Sequence, residues 1–226
     1  MALGCAAVTS AHAESFFQIE AGIGGAAYQH SANGLWYQDG FQHSFDLTAP
    51  AIEAGFTGDL YQASHWGVSW HADYAWLGTV HTQAMATPSD ANYNPVTQGC
   101  NGKCWPLANY MGSGHDAGFL LTLEPHYDWN GWRFGIEGGP YIHRSTWTED
   151  VTGWVPTETA APRNVIVHNT PHWEVGYVVG ASVEYKNFSV TYQYFKNSTS
   201  VSSSEPYPPI WKNTHVLLLK YRANVF

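Results

Sequence analysis

The chain has 226 residues, of which 15% are aromatic and only 12% charged, and Lys+Arg 9 stand against Asp+Glu 18 for a formal net charge of −9. That length suits one domain or two small ones. The acid excess excludes nucleic acid as a partner and a basic membrane-surface role, and with no apolar run of about 18 residues the sequence holds no transmembrane helix.

Residues 1–13 are small and mostly apolar and end in Ala11-His12-Ala13, the small-x-small pattern of a signal-peptidase site. They are expected to be a signal peptide, with Glu14 the first mature residue. No positive charge precedes the apolar stretch, so the signal is expected to begin farther upstream. Cys5 would leave with it. Cys100 and Cys104 then remain, and an even pair in an exported chain is expected to form a disulfide. A zinc site would need two further ligands at matching spacing.

The mature region, residues 14–226, alternates with period two nearly throughout and shows no sustained helical period. Eight strands are predicted near 16–29, 45–57, 66–82, 117–129, 132–147, 172–186, 188–198 and 213–226. In the third, Val68, Trp70, Ala72, Tyr74, Trp76 and Val80 oppose Ser69, His71, Asp73 and Thr79, with His81 assigned to the polar face. In the fourth, Phe119, Leu121, Leu123, Tyr127 and Trp129 oppose Thr122, Glu124, His126 and Asp128. In the sixth, Trp173, Val175, Tyr177, Val179, Ala181, Val183 and Tyr185 oppose Glu174, Gly176, Val178, Gly180, Ser182 and Glu184. The connections alternate in length. Those near 31–44, 83–116, 148–171 and 199–212 are long. Those near 58–65, at Asn130-Gly131 and around Asn187 are short, and Asn-Gly between two strands is a strong hairpin signal.

A soluble sandwich has no reason to gather its long loops at one end, whereas a membrane barrel with an even strand number does. Trp66, Trp70, Trp76, Trp129, Trp132, Trp147 and Trp173 fall at or near strand ends, where aromatic girdles meet the lipid headgroups. The predicted fold is therefore all-β, an eight-stranded antiparallel up-and-down transmembrane β-barrel over 14–226. A soluble exported β-sandwich binding protein is the alternative.

On this eight-strand pattern, the Ala11-His12-Ala13 site and the closing strand from His215 to Phe226, the chain resembles the small eight-stranded outer-membrane barrels of the OmpA/OmpX-like superfamily. The resemblance covers the mature chain and implies a Gram-negative outer membrane, contact with its lipid and lipopolysaccharide, and a terminal strand read by the barrel-assembly machinery. Phe226 falls out of phase with Leu217, Leu219, Tyr221, Ala223 and Val225, the apolar face of that strand.

A short repeat recurs as Ile19-Glu20-Ala21-Gly22, Ile52-Glu53-Ala54-Gly55, Ile136-Glu137-Gly138-Gly139 and Trp173-Glu174-Val175-Gly176. Each copy sets a Glu on the polar, lumen face with a Gly two residues on, where a narrow barrel needs room. Glu20, Glu53, Asp73, Glu124, Asp128, Arg133, Glu137, Glu184, Lys220 and Arg222 are expected to form a lumen charge network. A barrel of this width holds side chains or one small ligand, so structural filling is expected rather than an ion path or a general porin. His71-Ala72-Asp73 and His126-Tyr127-Asp128 read as histidine–carboxylate hydrogen bonds, since neither has a third fixed ligand. No metal and no cofactor is expected.

Lipid A deacylases and palmitoyltransferases are barrels of the kind this chain resembles, and they use a Ser with a His and an acid. The best counterpart here is His143-Arg144-Ser145, with His172 and Glu174 on the neighbouring strand. The deacylases follow their His-x-Ser with Asn on a lipid-facing surface; here Thr146 follows and the side chains face the lumen. The expected role is non-enzymatic, membrane-structural or surface interaction through long extracellular loops toward an unidentified extracellular ligand. A lipid A-modifying hydrolase using Ser145, His143 and Glu174 is the alternative. The loop near 83–116, with Tyr93, Trp105 and Tyr110, and the last loop, with Ser202, Ser203, Ser204, Pro206, Pro208 and Pro209, suit protein or glycan contact.

Overall fold

A computed structural model describes residues 17–29, 42–46, 48–86, 93–94, 99–100, 107–155, 161–169, 172–196 and 213–224. The regular structure among them is all β. In chain order the strands are β1 (Gln18–Tyr28), β2 (Gln42–Asp46), β3 (Thr48–Gln62), β4 (Trp66–Ala86), β5 (Tyr93–Asn94), β6 (Gly99–Cys100), β7 (Leu107–Trp129), β8 (Trp132–Val155), β9 (Arg163–Asn169), β10 (Glu174–Tyr185), β11 (Phe188–Lys196) and β12 (Asn213–Asn224).

Eight of these close a ring in the order β1-β3-β4-β7-β8-β10-β11-β12, with every neighbour antiparallel. Strand β12 returns to β1 in unbroken register from Gln18↔Asn224 to Tyr28↔Thr214, which leaves the ring without a free edge. The chain is an eight-stranded antiparallel transmembrane β-barrel. Strand β2 runs along β4 above β3, β9 runs along β8 above β10, and β5 pairs with β6 as a separate ribbon.

Alternation explains the closure. Even residues of β7 and odd residues of β8 point into the lumen and are largely buried, while most of their neighbours are exposed or half-buried. The outward residues from Trp66 to Trp76, Phe119 to Trp129, Trp132 to Ile142 and Trp173 to Tyr185 include no Asp, Glu, Lys or Arg. At the short-turn end the aromatic rings touch across strands: Trp66–Tyr127 at 4.9 Å, Trp132–Tyr185 at 4.7 Å and Phe188–Tyr221 at 5.0 Å. A second level of rings, Tyr74–Phe119 at 5.1 Å and Phe119–Trp173 at 6.2 Å, lies about ten residues farther along β7. Asn130 (φ 51°) and Gly131 (φ 82°) both take the left-handed region that a tight β7–β8 turn requires.

The strands outrun the sequence prediction. The connection expected over 58–65 shrinks to 63–65, because β3 continues through an irregularity at Asp59/Tyr61. Much of the expected 83–116 and 148–171 connections is strand, with β4 reaching Ala86, β7 starting at Leu107, β8 reaching Val155 and β9 added. In β4 the register with β7 slips between Trp76 and Thr79 at Gly78, whose φ is +76°. That bulge inverts the faces beyond it. Val80, expected outside, is buried in the lumen; His81, expected inside, is exposed. Trp147, expected in a girdle, is buried inside instead, where Gly112 leaves space for its ring. The proposed signal, residues 1–13, the Cys104 partner of the expected disulfide and Phe226 lie outside the described residues.

Candidate functional site: the layers of the lumen

The lumen is stacked in layers, each set by strand register. Nearest the short turns, Arg133 donates to Asp128 Oδ1 at 3.0 Å and to Asp59 Oδ1 at 3.3 Å. Ser69 donates to Asp59 at 2.6 Å and Gln62 to Asp128 at 2.6 Å. His126 Nε2 donates to Gln62 Oε1 at 2.9 Å, and Gly67 and Gly135 lie opposite His126 on its two neighbouring strands.

The next layer holds the carboxylates. Glu20 accepts from His71 Nδ1 at 2.6 Å and from Arg222 Nε at 3.4 Å. Arg222 also pairs with Glu184 at 2.7 Å and approaches Glu124 at 3.9 Å. Lys220 is hydrogen-bonded to Glu53, reaches Asp73 at 3.5 Å and lies 3.9 Å from Glu20. Neutral donors fill in: Ser182 to Glu124 at 2.9 Å, Thr122 to Glu137 at 3.3 Å and Gln193 to Glu53 at 3.4 Å. The ten residues read from sequence as a network thus divide between two layers. Asp128 and Arg133 belong to the lower, seven to the upper, and Glu184 joins the two, opposite Arg133 in register and paired with Arg222.

An apolar layer follows, packed from Tyr28, Leu77, Leu120, Tyr141, Phe195 and Leu218 among others. Tyr141 meets Phe195 edge-on at 4.8 Å and stacks on His143 at 4.8 Å. Beyond it lies a small polar cluster. His143 Nδ1 donates to Asp116 Oδ1 at 2.9 Å, and Ser145 donates to the same oxygen at 3.3 Å. All three side chains are buried. Glu174 lies opposite His143 in register, and His172 is exposed. Among the described residues no hydrogen bond joins Ser145 to His143 or to Glu174. Both Ser145 and His143 turn to Asp116 instead, so the serine–histidine–Glu174 relay is not formed.

A search of solved structures aligns the chain with Ail, the attachment invasion locus protein of Yersinia pestis, at 11% identity and a TM-score of 0.38, covering 92% of this chain and 97% of that one. A second structure of Ail, in complex with the heparin analogue sucrose octasulfate, aligns at 11% identity and a TM-score of 0.36 with the same coverage. Neither a protein-family model nor a curated protein matches the chain.

Sequence reasoning missed Asp116 and Asp59, and placed Ser182 and Gln193 on the polar face without including them in the network. Asp116 has the same parity as Gly118, Leu120 and Thr122, so extending the alternation by one step places it inside. Asp59 sits where the alternation of β3 breaks. Ser182 and Gln193 are lumen-facing by parity and carry no charge to draw notice.

Proposed function

We propose that the protein is an integral β-barrel of the Gram-negative outer membrane with a non-enzymatic role, in which a filled lumen stiffens a scaffold that presents a wall and loops outside the cell. One observation carries this reading. The outer surface changes from apolar to polar at one height on three adjacent strands: after Trp76 comes Thr79, His81 and Gln83; above Phe119 come His115 and Ser113; above Ile142 come Arg144, Thr146 and Thr148. Register joins these positions, with Ala117 opposite both Trp76 and Arg144. Strands β7 and β8 have 23 and 24 residues, about twice the 9–11 that a membrane crossing takes. The excess stands beyond the apolar band on the side of the long connections, which are extracellular in barrels of this kind.

In this reading the signal at 1–13 directs export, the apolar band meets lipid and lipopolysaccharide, and the barrel-assembly machinery reads β12. The Cys100–Cys104 disulfide braces the long connection. The extracellular ligand is a protein or a glycan. The apolar layer between the charged lumen and the Asp116 cluster argues against a conducting path.

An epitope inserted at Gly153, an exposed position with open space around it, tests the orientation. Antibody binding to intact cells is expected for this insertion and not for one at Asn187 in the β10–β11 turn. The reverse pattern, or a soluble product that migrates identically before and after boiling, overturns the reading.

A further inference from the structure

His71 on β4, Glu124 on β7 and Glu137 on β8 come from three consecutive strands of the ring, and each offers a ligand atom within 4.8 Å of the other two. All three residues are at most 3% exposed. The chemistry at their meeting point is unbalanced. Glu20 lies 2.6 Å from His71 Nδ1. A carboxylate only accepts, so Nδ1 bears the hydrogen and Nε2 of the neutral ring is a bare lone pair. Nε2 has no hydrogen-bond partner and faces Glu124 Oε2 at 3.8 Å. Glu124 Oε1 and Glu137 Oε1 are likewise buried without a hydrogen-bond partner. Glu137 joins no ion pair among the described residues, because Lys220 serves Glu53, Asp73 and Glu20 while Arg222 serves Glu184, Glu20 and Glu124. An unmatched carboxylate in such a place is costly.

We propose that His71 Nε2, Glu124 and Glu137 bind one divalent transition-metal ion in the barrel lumen. A cation there takes the lone pair of His71 and offsets the charge of both glutamates at once. It also offsets the excess of Glu20, Glu53, Asp73, Glu124, Glu137 and Glu184 over Lys220 and Arg222. One imidazole nitrogen with two carboxylates suits zinc and its first-row neighbours. Calcium and magnesium take oxygen sets with more ligands or several retained waters. Glu20 acts as the orienting carboxylate behind the histidine, fixing tautomer and ring direction. Sequence spacing pairs His71 with Asp73 only; the barrel closure brings the two glutamates to the other nitrogen. The apolar layer on one side and the Arg133 layer on the other enclose the site, so the ion enters as the barrel folds. The inference holds whichever membrane or ligand the barrel serves.

The test folds the mature chain into detergent with Co²⁺ as the probe, strips surface ions with EDTA, and measures metal content and visible absorption. About one Co²⁺ per chain with a ligand-field spectrum is expected, resistant to EDTA while folded and released on boiling in SDS. His71→Gln and Glu137→Gln should each reduce retained cobalt at least about tenfold while keeping heat-modifiable migration, and Glu149→Gln should leave it unchanged. If one variant does not fold, the wild-type stoichiometry and the other variant decide. Wild type without EDTA-resistant cobalt, or equal cobalt in wild type and a folded variant, overturns the proposal and leaves Glu137 a buried protonated carboxyl.

Discussion

Gly22 lies directly opposite Glu53 on the β1–β3 pair, and two rungs away Glu20 lies opposite Gly55. Two copies of one tetrapeptide, Ile-Glu-Ala-Gly, run antiparallel so that each glutamate lies over the other's glycine. Gly180 meets Glu137 in the same way, and Gly118 meets His143. The repeat is therefore a packing device. A narrow lumen takes a long side chain on one strand only where the neighbouring strand has none.

A Cβ at Gly55 would strike Asp73 and the Ala72 carbonyl, backbone that cannot swing away. Gly55→Ala should therefore cost about 1–3 kcal/mol of folding free energy. Gly25→Ala, whose added carbon meets only the Ala49 oxygen at 3.9 Å, should stay within about 0.5 kcal/mol. Urea unfolding in lipid vesicles compares the two, and equal effects would show that the close approach of β4 to Gly55 does not matter.

Lys220 is the cation shared by Glu53, Asp73 and Glu20. Lys220→Met keeps the stem and strands the carboxylates, at an expected cost of about 3–5 kcal/mol. Adding Glu53→Gln should recover part of that loss, because the pair is coupled. A strictly additive double mutant would show that the ion pair in the structure is not an energetic unit.

The outward face predicts a depth profile. Ile136→Arg, within the apolar band of β8, should cost about 2–4 kcal/mol, whereas Thr148→Arg, above the change in polarity, should cost under about 1 kcal/mol. Reversible folding in vesicles measures both, and a flat profile would remove the assigned membrane boundary.

The same boundary explains what the sequence made legible. Apolar–polar alternation exists only where one face meets lipid. The strand ends predicted at 82, 117 and 147 accordingly fall near the change in polarity at Thr79, His115 and Arg144, well short of the true ends at Ala86, Leu107 and Val155. Beyond the band the outward face turns largely polar while the lumen holds apolar Val80 and Trp147 beside Gly112, Gly114 and Asp116, so period two fades while the hydrogen-bond ladder continues. The bulge at Gly78 was hidden for another reason. One glycine in a strand is ambiguous without its partner's register, and the phase of Val80 and His81 depends on it. Asp116 lay one step outside the predicted strand, so the partner of His143 and Ser145 was sought in Glu174.

Asp116 accepts from both His143 and Ser145. Asp116→Ala should destabilise the barrel by about 1–3 kcal/mol, since two buried donors lose their acceptor. Ser145→Ala should leave the lipid A of expressing cells identical in mass to that with the wild-type protein. A change of one acyl chain seen only with the wild type would make Ser145 a nucleophile despite its geometry.

Glu149 stands beyond the apolar band, and burial raises its carboxyl from 4.5 to about 7, opposed by the hydrogen bond from Trp147 Nε1 at 3.3 Å. The raised value means that the folded barrel favours the neutral acid. Its contribution to stability is fully present below about 4.5 and is lost as pH rises to about 7. Allowing for solvent screening, the loss should be on the order of 2 kcal/mol. Glu149→Gln, neutral at every pH, should flatten that slope and stabilise the barrel above neutrality. In the wild type Trp147 fluorescence should titrate with a midpoint near 7, because its indole N–H bonds the ionising group. A midpoint in the ordinary carboxylate range, with no difference in slope between the two proteins, would place Glu149 in contact with solvent.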